Sequence, residues 1–277
     1  MSAGRAAALA LLAWLASAAG ASASDGTRGP DPGPAPLALL HVVDRGHGTE
    51  AWAENLLAGP IEVVLRATGA VPAAQPALPA RATVPARGRV LVAHIARADA
   101  ELLLDVVPGH PGARPREVEY AWPLGTRALD VGQAWGGSFS HGDDENRHAV
   151  DFAVPEGTPV LAARDGVVMQ AEGRFGGGGL RSADGMARAN FIRILHEDGT
   201  MAVYAHLAPG GVQVRAGERV RRGQRIGTSG STGYSGGPHL HFVLQANRGM
   251  RLVSLPFRMS GPGGILRFSD ASPGPGP

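Results

Sequence analysis

The stretch GSTGYSGGPHLHFVL at residues 230–244 places two histidines in an apolar run that is rich in strand-forming residues. Successive side chains of a strand point to opposite faces, so His239 and His241 are expected to project together from one face. Leu240 and Phe242 then face a hydrophobic core, and the glycines before them indicate a tight loop. A metal ligand and a catalytic histidine fit this pair, but two solvent-facing histidines on an ordinary strand have the same pattern.

Composition favours β-structure along the whole chain. The 277 residues include 41 glycines and 22 prolines, whereas only 5% are aromatic. Short β-branched runs alternate with turn signals, and no helical periodicity extends beyond one or two turns. The chain is therefore predicted to be all-β, with a smaller N-terminal β-sandwich-like domain and a C-terminal antiparallel β domain.

A Pro/Gly-rich segment at residues 108–115 is the best candidate for a linker between these domains. In the first domain, strands are predicted at residues 37–43, 61–67, 89–95 and 102–107, with a proline-punctuated loop at 72–85. The predicted organisation is a signal peptide (1–23), a flexible leader (24–36), a small β domain (37–107), a linker (108–129), a second β domain (130–260) and a C-terminal tail (261–277). The linker includes a leading strand at 117–124.

The amino terminus resembles a targeting segment. Arg5 precedes an apolar run at residues 6–19, and Ala-Ser-Ala at 21–23 is a typical cleavage signal. The run is shorter than the ~20 residues of a transmembrane helix. We therefore predict cleavage after Ala23 and a secreted or periplasmic mature protein, with an uncleaved anchor as the alternative.

The chain contains no cysteine, which excludes disulfides, thiolate-bound zinc and a cysteine nucleophile. A transition-metal site must therefore use histidine together with aspartate or glutamate. The formal net charge of +2 gives no strong attraction to nucleic acid, although it is compatible with peripheral association with an anionic cell wall.

The second domain concentrates the candidate ligands. Asp151 lies in an apolar strand, where a carboxylate is costly to bury unless it is paired or bound to a metal. Two histidines with one carboxylate and an open fourth position are typical of a catalytic zinc site, in which a neighbouring histidine exchanges protons. The candidates are His141, His148, Asp151, His196, His206, His239 and His241.

Four segments of this domain resemble the lysostaphin-type zinc endopeptidases of bacterial cell walls. They are AVDFAVPEGTPV at 149–160, NFI at 190–192, YAHL at 204–207 and GGPHLHF at 236–242, within a resemblance that covers about residues 132–244. The resemblance implies a twisted antiparallel sheet with a groove, and a peptide of peptidoglycan as substrate. It also implies that Asp151 and His241 bind Zn²⁺ and that His206 and His239 form the catalytic pair.

The first zinc ligand departs from the family pattern. His-x-x-x-Asp would place a histidine at position 147, where this chain has Arg147. His148 is three residues before Asp151 and faces the other way on a regular strand unless a bulge intervenes. His141 ends a loop that can fold back, so we predict His141 as the ligand. The displaced histidine leaves open a catalytically inactive relative that binds wall or activates another hydrolase.

Other residues of this domain are given structural roles. His196 is expected to pack or form hydrogen bonds, and Asn190 to tie backbone segments near the site. Tyr204 is expected to share a strand face with His206. Trp135 and Phe139 are equally compatible with a cleft and a core. A serine hydrolase is disfavoured because no Gly-x-Ser-x-Gly elbow occurs.

Overall fold

The computed structural model describes residues 33–96, 100–180 and 188–268. The predicted signal peptide, most of the predicted leader and residues 269–277 of the predicted tail lie outside these ranges. In the described ranges, no helix is long and apolar enough to cross a lipid bilayer. Regular structure there consists of 21 strands without an α-helix, so the prediction of an all-β protein is confirmed.

The N-terminal part forms two antiparallel sheets, with strand orders β1-β2-β6-β4 and β5-β3-β7. Their facing side chains make one core, to which Ile61, Val63 and Leu65 of β3 contribute alternate positions. Its strands are β1 (Ala38–Asp44), β2 (Thr49–Asn55), β3 (Ile61–Ala67), β4 (Ala74–Gln75), β5 (Ala80–Val84), β6 (Arg89–Ile95) and β7 (Leu102–Pro108).

Three strands of this part, β2, β5 and the two-residue β4, had no counterpart among the predicted ones. β2 turns Ala51, Ala53 and Asn55 inward, and such small or polar residues give little hydrophobic signal. β5 lies inside the segment that was predicted to be a loop because of its prolines. Pro79 and Pro85 flank the strand without interrupting its hydrogen bonds, so the prolines marked its ends.

The C-terminal part is built on an antiparallel sheet with the order β16-β12-β13-β14-β18-β10-β9, and β19 pairs with β18. Two three-stranded sheets, β11-β17-β15 and β21-β20-β8, lie beside it. The strands are β8 (Glu119–Tyr120), β9 (Val131–Gln133), β10 (Val150–Ala153), β11 (Pro159–Leu161), β12 (Gly166–Glu172), β13 (Phe191–Leu195), β14 (Met201–Ala205), β15 (Leu207–Val212), β16 (Arg219–Val220), β17 (Arg225–Ser229), β18 (His239–Asn247), β19 (Leu252–Ser254), β20 (Arg258–Gly261) and β21 (Gly264–Arg267).

The two faces of the main sheet carry different kinds of side chains. Leu240, Phe242 and Leu244 of β18 enter the large core, which also receives Tyr204 and Phe152 from the neighbouring strands. The opposite face of β18 carries His239, His241 and Val243. The alternation predicted from residues 239–244 is therefore observed, and it separates the core from the candidate site.

Two segments at the edges of this domain differ from the sequence-based expectations. The leading strand predicted at 117–124 is reduced to β8. Tyr120, the last residue of β8, and Leu124, four residues further on, are nevertheless buried in the C-terminal core. β21 and Phe268 lie within the predicted tail, and Phe268 packs against the same core. Ordered structure therefore extends beyond the predicted boundary at residue 260.

The two parts of the molecule are in direct contact. Met169 of β12 and Met201 of β14 are fully buried in the core of the N-terminal sheets. The buried carboxylate of Glu62 accepts hydrogen bonds from Asn247 Nδ2 at 3.0 Å and from the backbone N–H of Met250 at 2.7 Å. Apolar burial and a satisfied buried charge therefore hold the sandwich against one end of the main sheet.

Candidate metal centre

Asp151 and His241 are brought together by strand pairing. They are direct partners across the antiparallel pair β10–β18, and Nδ1 of His241 lies 2.8 Å from Oδ1 of Asp151. Ala205 of β14 is the partner of His241 on its other side. The small alanine side chain leaves open space on this face of the sheet, which is where the remaining histidines converge.

His141 reaches the same place from a loop. Its backbone N–H bonds to the carbonyl of Gly137, and its buried ring directs Nδ1 to the carbonyl oxygen of Ala134 at 2.9 Å. A carbonyl only accepts, so Nδ1 carries the proton and Nε2 is left with its lone pair. This Nε2 lies 3.3 Å from Oδ1 of Asp151.

The three side chains form a group that fits a metal ion. One atom each of His141, Asp151 and His241 lie within 4.8 Å of one another. Nε2 of His141 is buried without a hydrogen-bond partner, which is costly unless a ligand occupies that position. Two nitrogens and one carboxylate oxygen are the donor set of many catalytic zinc sites.

The electrostatics of the group keep the carboxylate ionised. Burial on its own would raise the pKa of Asp151, but the adjacent imidazoles of His141 and His241 outweigh it and hold this pKa far below its usual range. Gln133 Nε2 lies 3.5 Å from the other carboxylate oxygen and 2.9 Å from Ser140 Oγ. Asp151 is thus available as an anionic ligand over the whole physiological range of pH.

His206 lies between the end of β14 and the start of β15 rather than within a strand. Strand β14 ends at Ala205, and His206 has a left-handed backbone with φ of 61°. Such a conformation is uncommon outside glycine and asparagine and occurs at sites where surrounding structure enforces it. The expectation that Tyr204 and His206 share a face is wrong, because the reversed φ turns the imidazole out of the core in which Tyr204 lies.

The imidazole of His206 lies among the other histidines. Its centroid is 4.6 Å from that of His239 and 5.8 Å from that of His241. Nδ1 donates to the carbonyl oxygen of Thr232 at 2.7 Å, which leaves Nε2 unprotonated in the neutral ring. Burial, together with the repulsion from the neighbouring imidazoles of His241 and His239, lowers the pKa of His206 to about 3.

His239 is held in the same manner as His206. Its Nδ1 lies 2.8 Å from the carbonyl oxygen of Gly237 and 3.3 Å from Ser235 Oγ. Its Nε2 lies 3.9 Å from Oδ1 of Asp151. In the predicted catalytic pair, Nδ1 of each ring is therefore bonded to a backbone carbonyl oxygen, which leaves each Nε2 for contacts on the other side of the ring.

A cleft of about 320 Å³ leads to this group. Asp151, His239 and Phe139 are among the residues that line it. Phe139 is 55% exposed and stacks on Tyr234 with ring centroids 5.6 Å apart. The other lining residues are Gln133, Pro238 and small residues, which allow a peptide backbone to approach closely: Gly132, Ala153, Gly236 and Gly237.

Several sequence candidates are placed elsewhere. His148 directs Nδ1 to Ser254 and packs edge-on against Trp135, so it does not join Asp151 and His241. Trp135 itself packs against the core, whereas Phe139 lines the cleft. His196 is buried with Nδ1 bonded to the carbonyl of Asp165 and its ring against Tyr120, which agrees with its expected packing role.

A buried network of hydrogen bonds holds the backbone next to His206. Asn190 bonds through its amide to both backbone groups of Phe175 and donates to the carbonyls of Leu207 and Ala208. Thr232 Oγ1 donates to the carbonyl of Leu207 and accepts the backbone N–H of Asn190. The role of Asn190 was expected, but that of Thr232 was not, because a threonine in a Gly/Ser loop carries no distinguishing sequence signal.

Comparison with known proteins finds similarity to one peptidase family and to endopeptidases. Residues 145–251 match the model of peptidase family M23. The glycyl-glycine endopeptidase ALE-1 of Staphylococcus capitis is 38% identical over 103 residues, which are 37% of this chain and 25% of that protein. The peptidoglycan DD-endopeptidase ShyC of Vibrio cholerae is 36% identical over 118 residues, 42% of this chain and 24% of that protein.

Among solved structures, the catalytic domain of the antimicrobial peptidase lysostaphin from Staphylococcus simulans is 34% identical. The match covers 43% of this chain and 81% of that one, with a TM-score of 0.34. The chain spans about a quarter or less of the length of the curated relatives named above. His141 lies upstream of the family match, whereas Asp151, His206, His239 and His241 lie inside it.

Proposed function

We propose that the protein is an exported zinc metalloendopeptidase that hydrolyses peptide bonds of peptidoglycan, on the premise that residues 145–251, which match the model of peptidase family M23, form a domain of that family. The observation that carries the proposal is the convergence of His141, Asp151 and His241 beside two further histidines at a cleft. The names of the relatives support a wall peptide as substrate. The predicted signal peptide supports export.

His141, Asp151 and His241 would hold the ion through Nε2, a carboxylate oxygen and Nδ1. When bound, zinc polarises the scissile carbonyl and makes a nucleophile available near neutral pH. Asp151 supplies a negative charge, and the two imidazoles are neutral donors, so the site keeps a net positive charge when loaded. That charge favours the build-up of negative charge on a substrate carbonyl.

His206 and His239 would move protons on the open side of the site. The bonds from Nδ1 of each ring to a carbonyl oxygen fix the tautomer of the neutral ring, so each Nε2 would carry the lone pair that accepts a proton. After accepting a proton, the same ring donates it to the leaving amine. The second ring, once protonated or as an N–H donor, can stabilise the developing oxyanion.

The proposal is tested with the purified full chain on peptidoglycan fragments, with and without a chelator. Asp151→Ala should remove stoichiometric zinc and abolish cleavage, because it deletes the one anionic ligand. Asp44→Ala, which changes an exposed carboxylate of the N-terminal domain, should leave both unchanged. Full zinc content together with full activity in Asp151→Ala would contradict the assignment.

The rival function is a wall-binding relative without activity. It is supported by the unusual sequence position of His141. This histidine lies on a loop ten residues before Asp151, whereas the family pattern would place it at the position of Arg147. Binding of wall fragments without cleavage and without stoichiometric zinc in the wild-type chain would favour this rival. Stoichiometric zinc with cleavage of isolated peptides but not of wall would instead favour a peptidase with a different substrate.

A further inference from the structure

A surface outside the cleft combines arginines with exposed aliphatic side chains. It is formed by the hairpin β20–β21, the turn between β16 and β17, and the segment that precedes β9. We call it the arginine surface and define it by six exposed residues: Arg127, Arg221, Arg222, Arg225, Arg258 and Arg267. None of them lines the cleft.

The hairpin β20–β21 exposes one of its two faces. Directly opposite residues of an antiparallel pair share a face, and Arg258 is opposite Arg267 while Ser260 is opposite Ile265. Met259 points the other way and is fully buried in the core. The outward face therefore consists of two arginines, a serine and an isoleucine that is 55% exposed.

Contacts join this face to Arg222 and Arg127. A guanidinium nitrogen of Arg222 lies 3.5 Å from Ser260 Oγ, in the middle of the hairpin face. Arg127 donates to the carbonyl oxygen of Pro262 at the tip of the hairpin, at 3.0 Å. Leu129, two residues after Arg127, is 45% exposed. Positive charge and exposed aliphatic surface thus occur side by side.

The charge of this surface is not neutralised within the described part of the chain. None of the six guanidinium groups lies within 4.0 Å of a carboxylate there, whereas Arg66 and Arg251 elsewhere pair with aspartates at 2.7 and 2.6 Å. The adjoining carboxylates have other partners: Glu119 bonds to the hydroxyl of Ser260, and Asp165 accepts the backbone N–H of Arg222.

Arg258 lies between Glu119 and Arg267, its cross-strand partners on either side. The carboxylate of Glu119 bonds to Ser260 and forms no ion pair with Arg258 in the described part of the chain, so the guanidinium groups of Arg258 and Arg267 remain available to a bound anion. Planar guanidinium groups pair well with phosphate oxygens, so a layer of phosphates is a suitable partner.

We propose that the arginine surface docks the protein on an anionic lipid membrane. The six arginines contact lipid phosphates, and Ile265 enters the interface below the headgroups. This arrangement is that of a peripheral membrane site, in which basic residues and an apolar anchor act together. A soluble anionic polymer would satisfy the arginines but would leave Ile265 in water, which is why a lipid surface fits better. The proposal does not depend on peptidase activity.

The test measures co-sedimentation of the full chain with phosphatidylcholine vesicles that contain or lack phosphatidylglycerol. Arg258→Gln with Arg267→Gln should weaken binding to the anionic vesicles by roughly 30-fold, from the contribution of each arginine near a charged surface. Arg45→Gln with Arg66→Gln removes the same charge from the N-terminal domain and should have little effect. The apolar N-terminal segment is common to all variants, so its contribution cancels.

Ile265→Ser distinguishes a membrane from a polymer. On anionic vesicles it should weaken binding by roughly tenfold, because an apolar side chain no longer enters the interface. On soluble poly(glycerol phosphate) the same variant should behave as the wild type. Thermal unfolding of each variant checks that the fold is kept. The membrane proposal is overturned if both vesicle types bind equally, if the arginine pair has no effect, or if Ile265→Ser binds anionic vesicles as tightly as the wild type.

Discussion

Nδ1 of His241 lies 2.8 Å from Oδ1 of Asp151, its direct cross-strand partner. Because side chains alternate along a strand, a slip of one residue between β10 and β18 would turn one of these two groups into the core. Two members of the candidate metal group are therefore set by sheet register. The position of the third member, His141, depends instead on the conformation of a loop.

His141→Ala should lower the affinity for zinc by at least roughly 100-fold, because it removes a ligand whose Nε2 has no other partner. His148→Ala is the matched control, since its ring bonds to Ser254 and should leave zinc affinity almost unchanged. Competition titration against a chromophoric chelator measures both variants. The reverse pattern, with zinc lost in His148→Ala and retained in His141→Ala, would show that His148 is the ligand.

His206→Asn should reduce the rate of peptide cleavage by roughly 10²- to 10⁴-fold, the usual contribution of a general base. Asparagine tolerates the left-handed backbone at this position, so the fold and the zinc content should be retained. His47→Asn, on an exposed turn of the N-terminal domain, is the control. Steady-state cleavage and metal analysis are measured on the same samples, and an unchanged rate would remove His206 from the mechanism.

Asn190→Ala should lower the free energy of unfolding by about 2–4 kcal/mol, because several buried backbone groups lose their partner at once. The variant should also cleave more slowly, since Leu207 and Thr232 help to hold the backbone at His206. Gln213→Ala, an exposed side chain on the same domain, should change neither quantity. Urea unfolding and cleavage assays test the prediction, and wild-type stability in Asn190→Ala would contradict it.

His196 should make the stability of the protein depend on pH. Burial lowers its pKa to about 4 from an unfolded value near 6.5. Between these values the unfolded chain binds more protons than the folded one, so stability should fall as the pH falls from about 6.5 to about 4, by about 3 kcal/mol in total. The stabilising effect is present above pH 6.5.

The measurement is urea unfolding of the wild type and of His196→Asn across this range. Asparagine can replace the donor to the carbonyl of Asp165 but does not titrate, so the variant should lack this part of the pH dependence. Effects of acid on the metal group are common to both proteins and cancel in the difference. Parallel pH profiles of the two proteins would rule out His196 as the source.

The fold class and the candidate residues could be predicted because they rest on local patterns. Alternation in HLHFVL predicted which side chains of β18 enter the core, and the AVDFAV run predicted a carboxylate on a strand. The strands β2 and β5 could not be predicted in this way. β2 buries alanines and an asparagine, and β5 is short and flanked by prolines, so neither has a strong periodic signal.

The orientation of His206 could not be obtained from periodicity either. A regular strand would place it with Tyr204 in the core, and only a reversed φ sends it to the other side. That conformation is held by Thr232 and Asn190, which lie 26 residues after and 16 residues before it in the sequence. Long-range hydrogen bonds of this kind leave no local trace in the sequence.

The sequence by itself determined an all-β chain without cysteine chemistry, and it identified the histidines and the aspartate that can hold an ion. Only the tertiary structure shows that His141, rather than His148, lies beside Asp151 and His241, because this placement depends on how a loop of some ten residues folds back over the sheet. It also shows which nitrogen of each imidazole is bonded to the backbone, since Nδ1 of His141, His206 and His239 contacts the carbonyl oxygens of Ala134, Thr232 and Gly237. Local patterns fix which face a strand residue occupies, whereas loop closure and hydrogen-bond partners depend on the packing of the whole chain.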